Sequence, residues 1–290
     1  VTSVRRIARI HLICSDAARI ASFYQAALGF VPSPDVAVSA STRTVDLRLG
    51  DQTIVLTDSG PHGRRYPPDI DSASLLFQHF AIVVGDMATA YAQLSRQTGW
   101  TPISTGGPQR LPASSGGVTA FKFRDPDGHP HELLAFPTPA RTGKIFQGID
   151  HSALSVTDTA RSLAFYQSLS LTVAGGSINQ GPEQDRLDGL SGVRVEVTPL
   201  ALPDHSSPHV ELLCYSQGRA SAPAALDDIA STRLVFAVET TPDLQSLCNS
   251  HVDALVSGPE EVSGHVVRAT MRDPDGHLIV LEAPMAGNAK

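Results

Sequence analysis

The hexapeptide Arg-Asp-Pro-Asp-Gly-His occurs at 124–129 and again, 148 positions on, at 272–277. Six identical residues half a chain apart mean that the two halves share one architecture, and one half can be compared with the other position by position. A second pair supports this. Phe-Tyr-Gln stands at 23–25 and at 165–167, and Asp16-Ala17-Ala18-Arg19 is answered by Asp158-Thr159-Ala160-Arg161. A length of 290 residues suits about two domains, each large enough to bury a core of its own.

Around each of these pairs the pattern is a short apolar strand, a capping Asp or Thr, and a helix with apolar residues at i, i+3 and i+4. Leu163, Phe165, Tyr166 and Leu169 supply that stripe in the second copy. Weaker helix signals follow at 87–97 and 242–250, after strands at 80–84 and 234–238, with Pro242 suited to a first helical turn. Short runs bounded by Gly and Pro read as strands at 45–49, 53–57, 118–123, 132–136, 193–197, 210–215, 266–271 and 278–282. The expected fold is α+β, with four strand–helix–strands modules at 5–60, 75–137, 148–216 and 231–284. Domains of 1–137 and 148–290 would be joined by a linker at 137–147. The third module is the longest, and its polar segment 175–189 reads as a loop that shapes a site.

Apolar residues make up 41% and charged residues 18%, the balance of an ordinary globular enzyme. A net charge of −7 argues against a nucleic-acid or anionic-membrane surface. The one compact basic cluster, Arg64-Arg65, lies in a Pro/Gly-rich stretch and reads as a solvated loop. Cys14, Cys214 and Cys248 form no C-x-x-C and read as free thiols in a reducing compartment. Residues 1–12 lack the apolar centre of a signal peptide, and no apolar run approaches the ~20 residues of a membrane helix. The expectation is a cytoplasmic monomer or homodimer whose partner is a small-molecule substrate.

Phe23-Tyr24 and Leu28-Gly29-Phe30 after a first strand, with Asp-Pro-Asp-Gly-His ahead of a Glu-bearing strand, resemble the vicinal oxygen chelate superfamily. That group includes glyoxalase I, extradiol dioxygenases, an epimerase, and fosfomycin- and bleomycin-resistance proteins. The resemblance implies four βαβββ modules forming two glyoxalase-like domains. It also implies a divalent metal held on a concave sheet by a His or Gln on the first strand and a Glu on the last strand of each module. Seven residues before the capping position stand His79, His151, Arg9 and Arg233. On the last strands stand Glu132, Glu211, Val280 and, in module one, Ile54 or Val55. The implied ligand set is therefore His79, Glu132, His151 and Glu211, all from modules two and three. Members of the family pair their modules within or across halves, and only pairing across halves gathers all four. Modules one and four would then form a metal-free counterpart containing Arg9 and Arg233.

Two imidazoles and two carboxylates suit Zn, Ni, Mn, Co or Fe(II), with positions left open for substrate oxygens. The reading is a glyoxalase-like lyase or isomerase with Glu132 or Glu211 as the proton-moving base. Lys122, Asn179, Gln180, Glu183, Arg186 and His209 are candidate substrate contacts. An extradiol dioxygenase using Fe(II) and O2 is the alternative. It is disfavoured by Lys122 where those enzymes keep a Tyr, and by Ala113-Ser114-Ser115 where they keep a His. A small-molecule-sequestering protein is a third reading, although such members tend to lack the metal set. His129 and His277 read as turn residues, His11 stays undecided, and Glu282 is expected to pair with Arg233.

Overall fold

The computed structural model describes residues 4–33, 43–138, 143–204, 207–262 and 265–285, so part of the expected linker (139–142) lies outside the described residues. Module one consists of the strand Val4–Cys14, the helix Ala17–Leu28 and the strands Val31–Pro32, Thr44–Leu49 and Gln52–Asp58. Module two consists of Gln78–Val84, the helix Met87–Ser95, and the strands Thr101–Pro102, Gln109–Arg110, Thr119–Arg124 and Pro130–Ala135. Module three consists of Phe146–Val156, the helix Thr159–Ser168, and the strands Thr172–Val173, Ser177–Gln180, Arg194–Ala201 and His209–Tyr215. Module four consists of Arg233–Val238, the helix Thr241–Ser250, and the strands Leu255–Val262, Val266–Arg272 and Leu278–Pro284.

Each module's first helix starts where a side chain can satisfy a free backbone N–H. Asp16, Asp86 and Asp158 accept from the N–H groups of Arg19, Thr89 and Arg161, and Thr240 accepts from Asp243. The segment 175–189, expected as a loop, instead forms the strand Ser177–Gln180 and the helix Pro182–Asp188. That helix has Pro in its first turn with Glu183 and Asp185, Arg186 in its last turn, and Gly189 at φ 65° to end it. The strand Leu255–Val262 was not legible either. It lies at a sheet edge, where Gly258, Pro259 and two glutamates are tolerated.

Modules four and one form one sheet, and modules three and two form the other. The seams are two antiparallel pairs. Val4–Cys14 runs beside Arg233–Val238, and Gln78–Val84 runs beside Phe146–Val156. Each sheet thus takes one module from each half. Along the central strands the residues alternate. Phe80, Ile82 and Val84 join a core that also holds Ile10, Leu12, Leu154 and Phe236 and the helix residues Tyr24 and Tyr166, while His79 and Ala81 face the opposite side.

The repeated hexapeptide ties one sheet to the other within each half. Tyr24, from the first Phe-Tyr-Gln, donates to Asp125 Oδ2 at 2.9 Å, and Ser15 and Arg19 bond Asp127. Tyr166, from the second, donates to Asp273 Oδ2 at 3.0 Å, and Thr157, Arg161 and Ser162 bond Asp275. His129 and His277 place Nε2 at 3.0 and 2.8 Å from the carbonyls of Ile13 and Ser155, so both serve the turn. Arg124 and Arg272 close each turn on the carbonyls of Gly128 and Gly276, at φ 96° and 94° where a Cβ is disfavoured. Arg64 is exposed, as expected of a loop, yet it also bonds Asp228 of the other half.

Candidate metal centre

His79 and His151 sit on the two seam strands, with His79 opposite Ala153 and His151 opposite Ala81. Parallel pairing on the outer sides sets Glu132 beside Ala81 and Glu211 beside Ala153. Each row across the sheet therefore reads His, Ala, Glu, and the two rows run in opposite directions. Residues in register on adjacent strands share a face and stand about 5 Å apart. The two alanines leave open the space into which the four longer side chains lean. A slip of one residue would turn the whole set into the core.

His79 Nε2 lies 3.0 Å from Glu132 Oε2. His151 Nε2 lies 3.9 Å from the same oxygen and 3.6 Å from Glu211 Oε2. Donor atoms of His79, Glu132 and His151 all lie within 4.8 Å of one another. The strand carrying His151 has a register shift between Ile149 and His151, which lets Asp150 reach the same cluster. Asp150 Oδ2 sits 3.0 Å from His151 Nδ1, leaving Nε2 aimed at the two glutamates. His209 pairs in register with His151 and places Nε2 3.4 Å from Glu211 Oε1.

The two imidazoles are pushed in opposite directions. Burial disfavours a charged His79 and lowers its pKa to about 4, even with Glu132 beside it. Burial acts the same way on His151, but Glu211, Asp150 and Glu132 outweigh it and hold the pKa at about 9. Both glutamates stay below the usual carboxylate range: burial opposes this, and the adjacent imidazoles prevail. Two imidazole nitrogens and one carboxylate grouped in a shielded space, with Glu211 beside His151, fit a divalent cation.

The cluster opens into a cavity of about 190 Å³. Of the residues singled out from sequence, His79, Glu132, His151, Glu211, Lys122 and Asn179 line it. His209 does not line it and acts on Glu211 instead. Gln180, Glu183 and Arg186 do not line it. Ser177 and Asn179 alternate with Ile178 and Gln180 along their strand, so Gln180 shares the outward face of the exposed Ile178. Arg186 bonds Gln109 Oε1 at 2.7 Å and also pairs with Glu183, while Gln184 and Leu187 of the same helix line the cavity. Lys122 is buried, with Nζ 2.6 Å from Asp188 Oδ1.

Asp150, Gln184, Asp188 and Tyr215 were missed. Tyr215 was within reach of sequence reasoning, because 211, 213 and 215 share a face by the period of a strand. Asp188 was not, being 66 residues from its partner Lys122. Glu282 pairs with Arg9 and Arg268, not with Arg233. Arg233 is in register with Leu278, four residues and roughly 13 Å along the strand from Glu282, and donates instead to the Leu226 carbonyl.

Residues 6–133 match the model of the Glyoxalase/Bleomycin resistance protein/Dioxygenase superfamily. The fold is similar to glyoxalase I from Zea mays, at 18% identity and a TM-score of 0.66 over 96% of this chain and 92% of that one. A variant of the same maize protein matches at 17% identity and a TM-score of 0.68, over 96% and 92%. A Bacillus subtilis strain 168 protein named as a proposed dioxygenase is similar at 13% identity and a TM-score of 0.64, over 98% and 86%. No curated protein matches. Among the described residues no helix is long and apolar enough to cross a membrane.

Proposed function

We propose that the chain, whose residues 6–133 match the glyoxalase, bleomycin-resistance and dioxygenase superfamily, is a divalent-metal-dependent lyase or isomerase of the glyoxalase type. The observation that carries this reading is the grouping of His79, Glu132 and His151, with ligand atoms within 4.8 Å of one another, and of Glu211 at 3.6 Å from His151 Nε2. His79, His151, Glu132 and Glu211 would hold the ion, and the His151 proton would leave as it binds. Bound there, a divalent cation supplies Lewis acidity to a carbonyl or enediol oxygen.

The rest of the chemistry falls to the chain's own groups. Glu132 is the more enclosed carboxylate, at 8% side-chain exposure, and its Oε2 is engaged by His79. Glu211 is more open, at 19%, with its second oxygen near His209. Glu211 is thus the better placed to take a proton from a substrate carbon and return it one atom away. Asp150 acts through His151, and His209 acts through Glu211.

A dioxygenase reading has one observation in its favour, the grouping of two imidazoles and one carboxylate in His79, His151 and Glu132. Against it, Lys122 is committed to Asp188 where a Tyr would serve that chemistry. Metal analysis after anaerobic purification, with oxygen uptake measured on catechols, separates the two. Ni, Zn or Co without oxygen uptake is expected. Iron with catechol-dependent uptake would establish the dioxygenase instead.

A further inference from the structure

The two ends of the cavity differ. Glu132, Leu134 and Phe136 alternate along one stretch of chain and all line it, so each step leads roughly 7 Å from the His and Glu cluster. Glu211, Leu213 and Tyr215 do the same on the other carboxylate strand. The two strands run in opposite directions, so the two paths diverge from the cluster. Tyr215 ends its path at 6% exposure, with its hydroxyl bonded to Asp188. Phe136 ends its path 38% exposed. Val118, which the sheet register sets across from Phe136, lines the cavity too.

A lone exposed aromatic is ordinary on a protein surface. Phe136 differs in standing on a cavity wall that also carries Glu132, where apolar surface holds part of a ligand. Charge narrows what that part is. Lys122 is the single Lys or Arg lining the cavity among the described residues, and Asp188, 2.6 Å from its Nζ, already answers it. Arg110 lines a separate surface hollow with Glu183. The acidic walls, Glu132, Glu211 and Asp150, repel an anion. Size narrows it further. An apolar cavity of about 150 Å³ holds one benzene ring. This cavity, at about 190 Å³, has room for a chelating head and an arm of about one ring.

Resting on the metal-centre reading above, we propose that Phe136 is a specificity-determining residue, whose ring packs on an apolar arm of the substrate remote from the chelating oxygens. The substrate class is then a small vicinally oxygenated molecule with an uncharged aryl or alkyl arm, not a conjugate with an anionic one.

The test uses the full-length protein loaded with Zn(II) and three hydroxamate probes that share one chelating head. Acetohydroxamate has no arm, phenylacetohydroxamate carries an apolar ring, and 4-carboxyphenylacetohydroxamate carries the same ring with an anion. Titration calorimetry should rank the phenyl probe at least about tenfold tighter than acetohydroxamate, the gain expected from burying a ring, and the carboxylate should cancel that gain. Phe136→Ala should bring the phenyl-to-methyl affinity ratio down to about 3 or less. Phe136→Trp keeps an aromatic wall, and its added indole emission should change with the phenyl probe and not with acetohydroxamate. Equal affinity for the phenyl and methyl probes in the unaltered protein would overturn the proposal. A ratio that survives Phe136→Ala, an indole emission indifferent to the phenyl probe, or a carboxylated probe that binds tightest would each do the same. The emission measurement decides the matter even if Phe136→Ala fails to fold. Failure to take up Zn(II) at all would overturn the metal-centre reading and this proposal with it. Uptake without discrimination overturns only the role of Phe136.

Discussion

In the sheet of modules two and three, His79 and His151 stand diagonally across two alanines, with Glu132 and Glu211 beyond them. In the sheet of modules one and four the same lattice positions hold Arg9 and Arg233, His11 and Val235 replace the alanines, and Val55 and Val280 replace the glutamates. The backbone register is the same, and the charge is reversed. Arg9 and Arg268 converge on Glu282, and His11 Nε2 lies 2.8 Å from Thr57 Oγ1. Burial, reinforced by Arg233, Arg268 and Arg9, lowers the His11 pKa to about 3, and burial lowers Arg233 to about 10. Arg233, Arg268 and Arg9 around His11 repel a metal cation, and Val55 and Val280 offer it no ligand where the other sheet has glutamates. The difference teaches that this sheet geometry is a frame, and that the side chains at four matching positions set the charge it presents.

The most severe way to break the comparison is to remove a candidate ligand. His79→Ala or His151→Ala should lower metal affinity by more than the about 10–100-fold that outer partners cost, whereas Arg9→Ala and Arg233→Ala should leave metal content unchanged. Metal quantified per chain after anaerobic purification checks this, and equal loss in both sheets would end the asymmetry argued above. Asp150→Asn tests the support behind His151. It should weaken metal affinity by about 10–100-fold in a competition titration while the fold persists.

The two inter-sheet clamps allow a finer contrast. Tyr166→Phe removes one hydrogen bond to a buried carboxylate and should cost about 1.5–3 kcal/mol in denaturant unfolding. Tyr24→Phe should cost more, because that hydroxyl also lies 2.8 Å from His131 Nε2, which would keep only Asp125 at 3.7 Å. Equal losses would mean that His131 is not part of the clamp.

The smallest effect concerns pH. His129 Nδ1 lies 2.9 Å from Asp125 Oδ2, among Tyr24, Tyr66 and His131. Burial opposes its charge, but Asp125 outweighs burial and raises the His129 pKa above 6.5. A raised folded-state pKa contributes stability that is complete below about 6.5, the unfolded value, and is lost as pH climbs through the folded value. His129→Gln should therefore flatten the decline in unfolding free energy on the alkaline side of pH 6.5, measured with chelator present throughout. An unchanged slope would remove His129 as its source.

Much of this was legible in residue patterns because its causes are local. Asp16, Asp86, Asp158 and Thr240 cap the helices they precede, and counting back seven residues finds Arg9, His79, His151 and Arg233 at matching register positions of the seam strands. Pairing across halves followed from asking where two His and two Glu could meet. What escaped depends on long-range or irregular geometry. Asp150 reaches the cluster through a break in strand register, which no period reveals. The Lys122–Asp188 pair exists because an inserted segment folds into a helix over the cavity. The Glu282 partner was misassigned because sharing a face does not fix position along a strand. Here the register sets Glu282 beside Arg268.

The order of the modules along the chain is shifted by one relative to the sheets they build. When the first half has been synthesised, Val4–Cys14 and Gln78–Val84 both lack their seam partners, and each carries an open row of backbone donors and acceptors. Such edges are sticky, and waiting is the period of risk for a nascent chain. The second sheet closes first, when Phe146–Val156 arrives, and the first must wait for Arg233–Val238. Candidate chemistry is thus lodged in the earlier-completed sheet. Translation speed through the region encoding module three, and chaperone occupancy during it, should govern the yield of native protein more than either does near the end of the chain.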